Sequence, residues 1–100
     1  MKWSKEKGNP TGWIGKGTTK VDGKVVSIDC TIHKLDPEYR DRSSCSEYLL
    51  EGHIDGSNYS GFAFEGYFYR LRDAKSCAVK TSKRRYKVKY NHINEPYLVK

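Results

Sequence analysis

The chain has 100 residues, a mass of 11.5 kDa and a formal charge of +7, with 36% apolar and 31% charged residues. A chain of this length buries about 60 to 70% of its unfolded surface around one core. Its 13% aromatic content argues against a disordered polymer, and the lack of a long apolar run excludes a bilayer-spanning helix.

The charged start, MKWSKEKGNP, is not followed by an apolar stretch, so no export signal is expected and the predicted setting is cytoplasmic, without a membrane partner. Cys30, Cys45 and Cys77 form no CxxC pair and leave an odd thiol under any pairing. That composition suits a reducing compartment, with the thiols acting as small buried groups. No Cys/His pair has ligand spacing, so neither a metal nor a cofactor is expected.

Residues 1–11, with Gly8-Asn9-Pro10, read as a flexible N-terminal arm preceding a single β domain over 12–100. Trp13 to Val21 reads as a strand weakened by Gly15 and Gly17. Asp22-Gly23 tolerates the positive φ of a two-residue hairpin. The next strand, 24–34, alternates Val26, Ile28, Cys30 and Ile32 with Val25, Ser27, Asp29, Thr31 and His33, so the even positions form its core face. Residues 35–46 break the alternation. Asp36 as cap, Pro37 at the first helical position and Glu38 in the first turn predict one short helix near residues 36–42.

Strands follow over Glu47 to Ile54 and Tyr59 to Leu71, joined through Asp55-Gly56 and the turn formers Ser57 and Asn58. Lys75 to Lys80 and Arg84 to Ile93 complete the set. In the last strand Tyr86, Val88, Tyr90 and His92 take the core face, and Arg85, Lys87 and Lys89 the outer face. The predicted fold is therefore all-β, with about six antiparallel strands in a meander that closes into a small barrel or roll. A two-layer sandwich is the competing arrangement. An α/β fold is excluded because no helix-period segments are available to cover a parallel sheet.

The stretch SGFAFEGYFYRLR, residues 60–72, has no clean face in a regular pleat. One extra residue accommodated at Glu65-Gly66 would flip the phase, uniting Phe62, Phe64, Tyr67, Tyr69 and Leu71 on a core face. Phe68, Arg70 and Arg72 would then lie outside, and this bulged register is the expected one. Ser60 to Tyr67 also resembles the aromatic octapeptide of the RNA-recognition-motif fold at Gly61, Phe62, Ala63, Phe64 and Tyr67. The match departs at Ser60 and Glu65. The resemblance implies aromatics on a sheet stacking on bases, in a fold that needs two helices behind that sheet.

Charge is unevenly distributed. Residues 1–50 hold nine Lys/Arg against seven Asp/Glu, and residues 51–100 hold ten against five. Within 70–89, Asp73 alone opposes nine cations. The candidate binding set is Phe68, Arg70, Arg72, Lys80, Lys83, Arg84, Arg85, Lys87 and Lys89, a surface for nucleic acid or an acidic protein. The plain structural use of the same lysines is protection of an edge strand.

Binding rather than catalysis is the expected function, by a monomer or small homo-oligomer. Three alternatives remain. One is a protein-interaction module, and another is a ligand-holding barrel lined by Trp3, Trp13 and tyrosines. The third is a metal-independent ribonuclease using His53, Glu65, Arg70, Arg72 and His92, in which carboxylate and histidine exchange protons while arginines stabilise the phosphorane.

Overall fold

A computed structural model describes residues 1–5, 8, 12–35, 47–56 and 59–99. Its elements are β1 (Lys2–Lys5), β2 (Gly12–Val21), β3 (Lys24–Lys34), β4 (Tyr48–Asp55), β5 (Ser60–Phe68), α1 (Leu71–Ser82), β6 (Arg85–Tyr90) and β7 (Pro96–Val99). The strands form one sheet in the order β5-β4-β3-β2-β6-β7, with β1 also paired to β2. This nearly closed, barrel-shaped sheet is the all-β architecture that the period-two alternation predicts.

The β2–β3 hairpin forms where expected. Asp22 and Gly23 take φ of 52° and 78°, so the two-residue turn follows the right-handed twist of its strands. Asp22 also reaches β6: its backbone N–H donates to the Tyr86 carbonyl at 2.9 Å, and its carboxylate accepts from the Val88 N–H at 3.2 Å. On β3, Ile28, Cys30 and Ile32 are fully buried, and Leu50 and Ile54 of β4 extend the same core face.

Several expectations are overturned. Residues 71–82 are helical, where a strand was expected over Lys75 to Lys80. The spacing of Ala74, Ala78, Thr81 and Ser82 puts their small side chains on one side of α1, where all four are buried. Asp73 in the first turn and Lys80 in the last turn suit the helix dipole. The helix lies against β2, β3, β4 and β5 and fills the concave side of the sheet. It also allows the chain to cross over, so that β6 joins β2 in parallel rather than continuing an antiparallel meander. The helix predicted near residues 36–42 lies outside the described residues.

The expected arm begins instead with a strand. Trp3 of β1 lies opposite Gly15, where an added Cβ would come within 2.8 Å of the indole. The absent side chain thus makes room for the ring, and Lys75 Nζ sits 5.7 Å from the Trp3 ring centroid. At the other end, the last strand is shorter than predicted. Asn91 Oδ1 accepts from the Ile93 and Glu95 N–H groups, and Asn94 takes a φ of 65°, so the chain turns after Tyr90. Tyr90 and His92, expected in the core, are exposed.

The aromatic strand contains a bulge, but not at Glu65-Gly66. Gly52 lies opposite Phe64 and His53 opposite Phe62, so the extra residue is Ala63. An added Cβ on Gly52 would lie 2.4 Å from Phe64 Cζ, so the ring occupies the space above the glycine. The phase therefore changes before Phe64 rather than after it. Phe64 is buried and Phe68 packs against the core, whereas Phe62, Tyr67 and Tyr69 are 47%, 58% and 61% exposed.

Candidate nucleic-acid interface

Strand register assembles the charged surface. On β6, Arg85, Lys87 and Lys89 are exposed while Tyr86 is buried, as the alternation predicts. In the parallel pairing, Lys20 lies beside Arg85 and Val21 beside Tyr86. Each laterally paired couple shares a face, so Lys20 joins the three β6 cations on the exterior. Further along β2, Lys16 also points outward, and Lys2 of β1 lies directly opposite it. Because β1 and β6 occupy successive stretches of the same edge of β2, the cations continue from one to the other as a single strip.

The helix adds to this strip at its C-terminal end. Lys83 shares with Lys20 a shallow depression of about 220 Å³, completed by Thr18, Thr19, Val25 and Ser82. Thr19 Oγ1 donates to the Arg84 carbonyl at 3.4 Å, tying the end of the helical connection to β2. Lys80 and Arg84 line a second depression of about 370 Å³ with Asp73, Ser76, Cys77 and Thr81. Arg72, Ser76, Lys80 and Lys83 follow one another at helical spacing and form an exposed stripe.

The predicted site therefore divides. Lys80, Lys83, Arg84, Arg85, Lys87 and Lys89 lie along α1's C-terminal end and β6. Arg70 and Arg72 stand at the opposite end of a helix about 18 Å long, and Arg72 Nε lies 3.8 Å from Asp73 Oδ1. Phe68 leaves the set because the Ala63 bulge turns it inward. Sequence reasoning missed Lys2, Lys16 and Lys20. Each lies far from β6 in the chain, and no local period signals a register set by long-range pairing.

The outward-facing positions in the middle of β3, β4 and β5 carry carboxylates instead. Asp29, Glu51, Asp55 and Glu65 project outward from β3, β4 and β5, with Glu51 directly opposite Glu65. His53 Nε2 lies 3.5 Å from Glu51 Oε2, and its ring meets Phe62 edge-on at 5.9 Å. Of the residues considered for ribonuclease chemistry, His53 and Glu65 are thus on neighbouring strands. His92 lies in the β6–β7 turn, separated from β4 in sheet order by β3 and β2. The octapeptide's aromatics are also split, with Phe62 and Tyr67 outside and Phe64 inside.

Trp13 stacks edge-on with Tyr48 at 6.1 Å, and Trp3 packs on Gly15, so both indoles serve packing. Among the described residues no group of three or more His, Cys, Asp or Glu side chains is placed to hold a metal ion. No described helix is long and apolar enough to cross a membrane. No protein-family model matches the sequence, and no curated protein or solved structure matches it.

Proposed function

We propose that the protein binds a polyanion, with nucleic acid as the leading candidate, through the exterior strip formed by Lys2, Lys16, Lys20, Arg85, Lys87 and Lys89. The observation that carries this reading is the β2 register, which lines up cations from both ends of the sequence on one face. Edge protection accounts for alternating lysines within a single strand, but not for their continuation across β1, β2 and β6. A strip of closely spaced cations matches the repeating charge of a phosphodiester backbone, displacing counterions without reading base sequence. Lys83 and Arg84 extend it toward the helix, whereas Asp29 marks its border on β3.

The concave side that a barrel-held ligand would use is occupied by α1, which further favours the outer face. Cys30 and Cys77 are free thiols, and this supports a reducing, cytoplasmic setting.

The test is fluorescence anisotropy with labelled single-stranded DNA, single-stranded RNA and duplex DNA at about 50 and 200 mM salt. With four phosphates contacted, the logarithm of the single-strand binding constant falls against that of salt with a slope of about −3. Reversing charge at Lys20 and Arg85 together, by K20E and R85E, lowers affinity at least tenfold while Tyr86 and the core remain intact. Absence of binding at the lower salt, or binding indifferent to the double reversal, overturns the proposal.

A further inference from the structure

We infer that the free edge of β5 pairs with β5 of a second copy of this chain, in an antiparallel twofold arrangement centred on Gly66. β5 ends the sheet order, and among the described residues its only strand partner is β4. Gly61 and Gly66 on this strand retain partial exposure.

The two edges of the sheet are treated differently. β7 is four residues long and begins with Pro96, two features that discourage pairing. β5 is nine residues long, contains neither proline nor lysine, and has Glu65 as its one charged residue. Its outer face carries the exposed rings of Phe62 and Tyr67. The Ala63 bulge does limit pairing, but only up to that point.

The limits of the regular stretch select the register. The bulge at Ala63 closes one end, and the chain bends at Tyr69 and Arg70 before entering α1 at the other. Phe64–Phe68 is the uninterrupted run between them, and its centre is Gly66. A twofold axis there places Phe64 opposite Phe68 of the other copy on the inner face. On the outer face Glu65 lies opposite Tyr67, and Gly66 meets Gly66 with no side chain to separate the backbones. The run FEGYF is thus complementary to its own reverse, pairing ring with ring and avoiding like charges.

Such an interface uses the same patch on both chains and closes after two copies. It leaves the cationic strip on β1, β2 and β6 uncovered, so its success or failure is separate from polyanion binding.

Sedimentation velocity across a concentration series, without polyanion, tests the pairing. The expected mass rises with concentration to twice the 11.5 kDa of the chain. Tyr67→Glu sets two carboxylates opposite two others across the axis, and is expected to raise the dimer dissociation constant about tenfold. Glu65→Lys in the same chain replaces both repulsive pairs by attractive ones and restores the dimer. Residue 67 is exposed, so circular dichroism is expected to show the single variant folded. A monomer at every concentration, a dimer indifferent to Tyr67→Glu, or a double variant no better than the single one overturns the proposal.

Discussion

Cys30 has no exposed surface, and burial is the main cause that pushes its thiol up from 9.0 to about 11, although the side-chain hydrogen bond with Ser82 of α1 acts in the opposite direction. A thiol whose folded value is raised is neutral in the native core while the unfolded chain has already begun to ionise. Its contribution to stability is therefore complete below pH 9 and is lost as pH rises toward 11. At pH 10 the loss is about 1 kcal/mol. Thermal melts are expected to show a steeper fall between pH 8 and 10.5 for the native chain than for Cys30→Ala, and equal slopes would refute this account. The burial of Cys30 is legible in the sequence because Ile28 and Ile32 flank it at period two. The Ser82 contact is not, since it depends on a helix whose apolar signal is weak.

That helix shows what element-scale reading requires. Ala74 and Ala78 bury completely yet supply little hydrophobic contrast, while Lys75, Val79 and Thr81 are compatible with a strand's alternation. Their smallness lets α1 come close to the sheet, and that packing decides its conformation. The hairpin at Asp22-Gly23, by contrast, is legible because its backbone demand is local. The bulge in β5 lies between these cases. Its need is visible in the broken alternation of SGFAFEGYF, but its position is set by Phe64 settling over Gly52 on another strand.

The C-terminal end of α1 is secured by Tyr86, whose hydroxyl donates to the Thr81 carbonyl at 2.9 Å inside the core. Tyr86→Phe retains the ring and leaves that carbonyl without this donor. A destabilisation of about 1 to 2 kcal/mol is expected in urea denaturation, with an unchanged m-value. A neutral substitution would show that the hydroxyl does not anchor the helix.

At the scale of the whole molecule, the described exterior sets a cationic strip on β1, β2 and β6 against a face of β3 to β5 where Asp29, Glu51, Asp55 and Glu65 lie near the exposed rings of Phe62 and Tyr67, with Lys24 and Lys34 at the two ends of β3. The rise in positive charge after residue 70 is readable from the sequence, and the β6 half of the strip follows from it. The N-terminal half comes from a part of the chain with nearly balanced charge. Lys2, Lys16 and Lys20 become part of the strip only because β1 and β6 lie end to end on β2.

This arrangement also has a consequence for the order in which the sheet comes apart. Strands β2 to β5 pair with sequence neighbours, but β6 must find β2 across separations such as the 65 residues between Thr19 and Arg84, and it gains just two paired positions there. With so few strand contacts on β2, the β6–β7 unit is expected to be the first part of the sheet to detach. Native-state hydrogen exchange is expected to find the β6 amides opening at lower free energy than those of β3 and β4. During each such opening the cationic strip is cut in two while the β2–β5 meander persists.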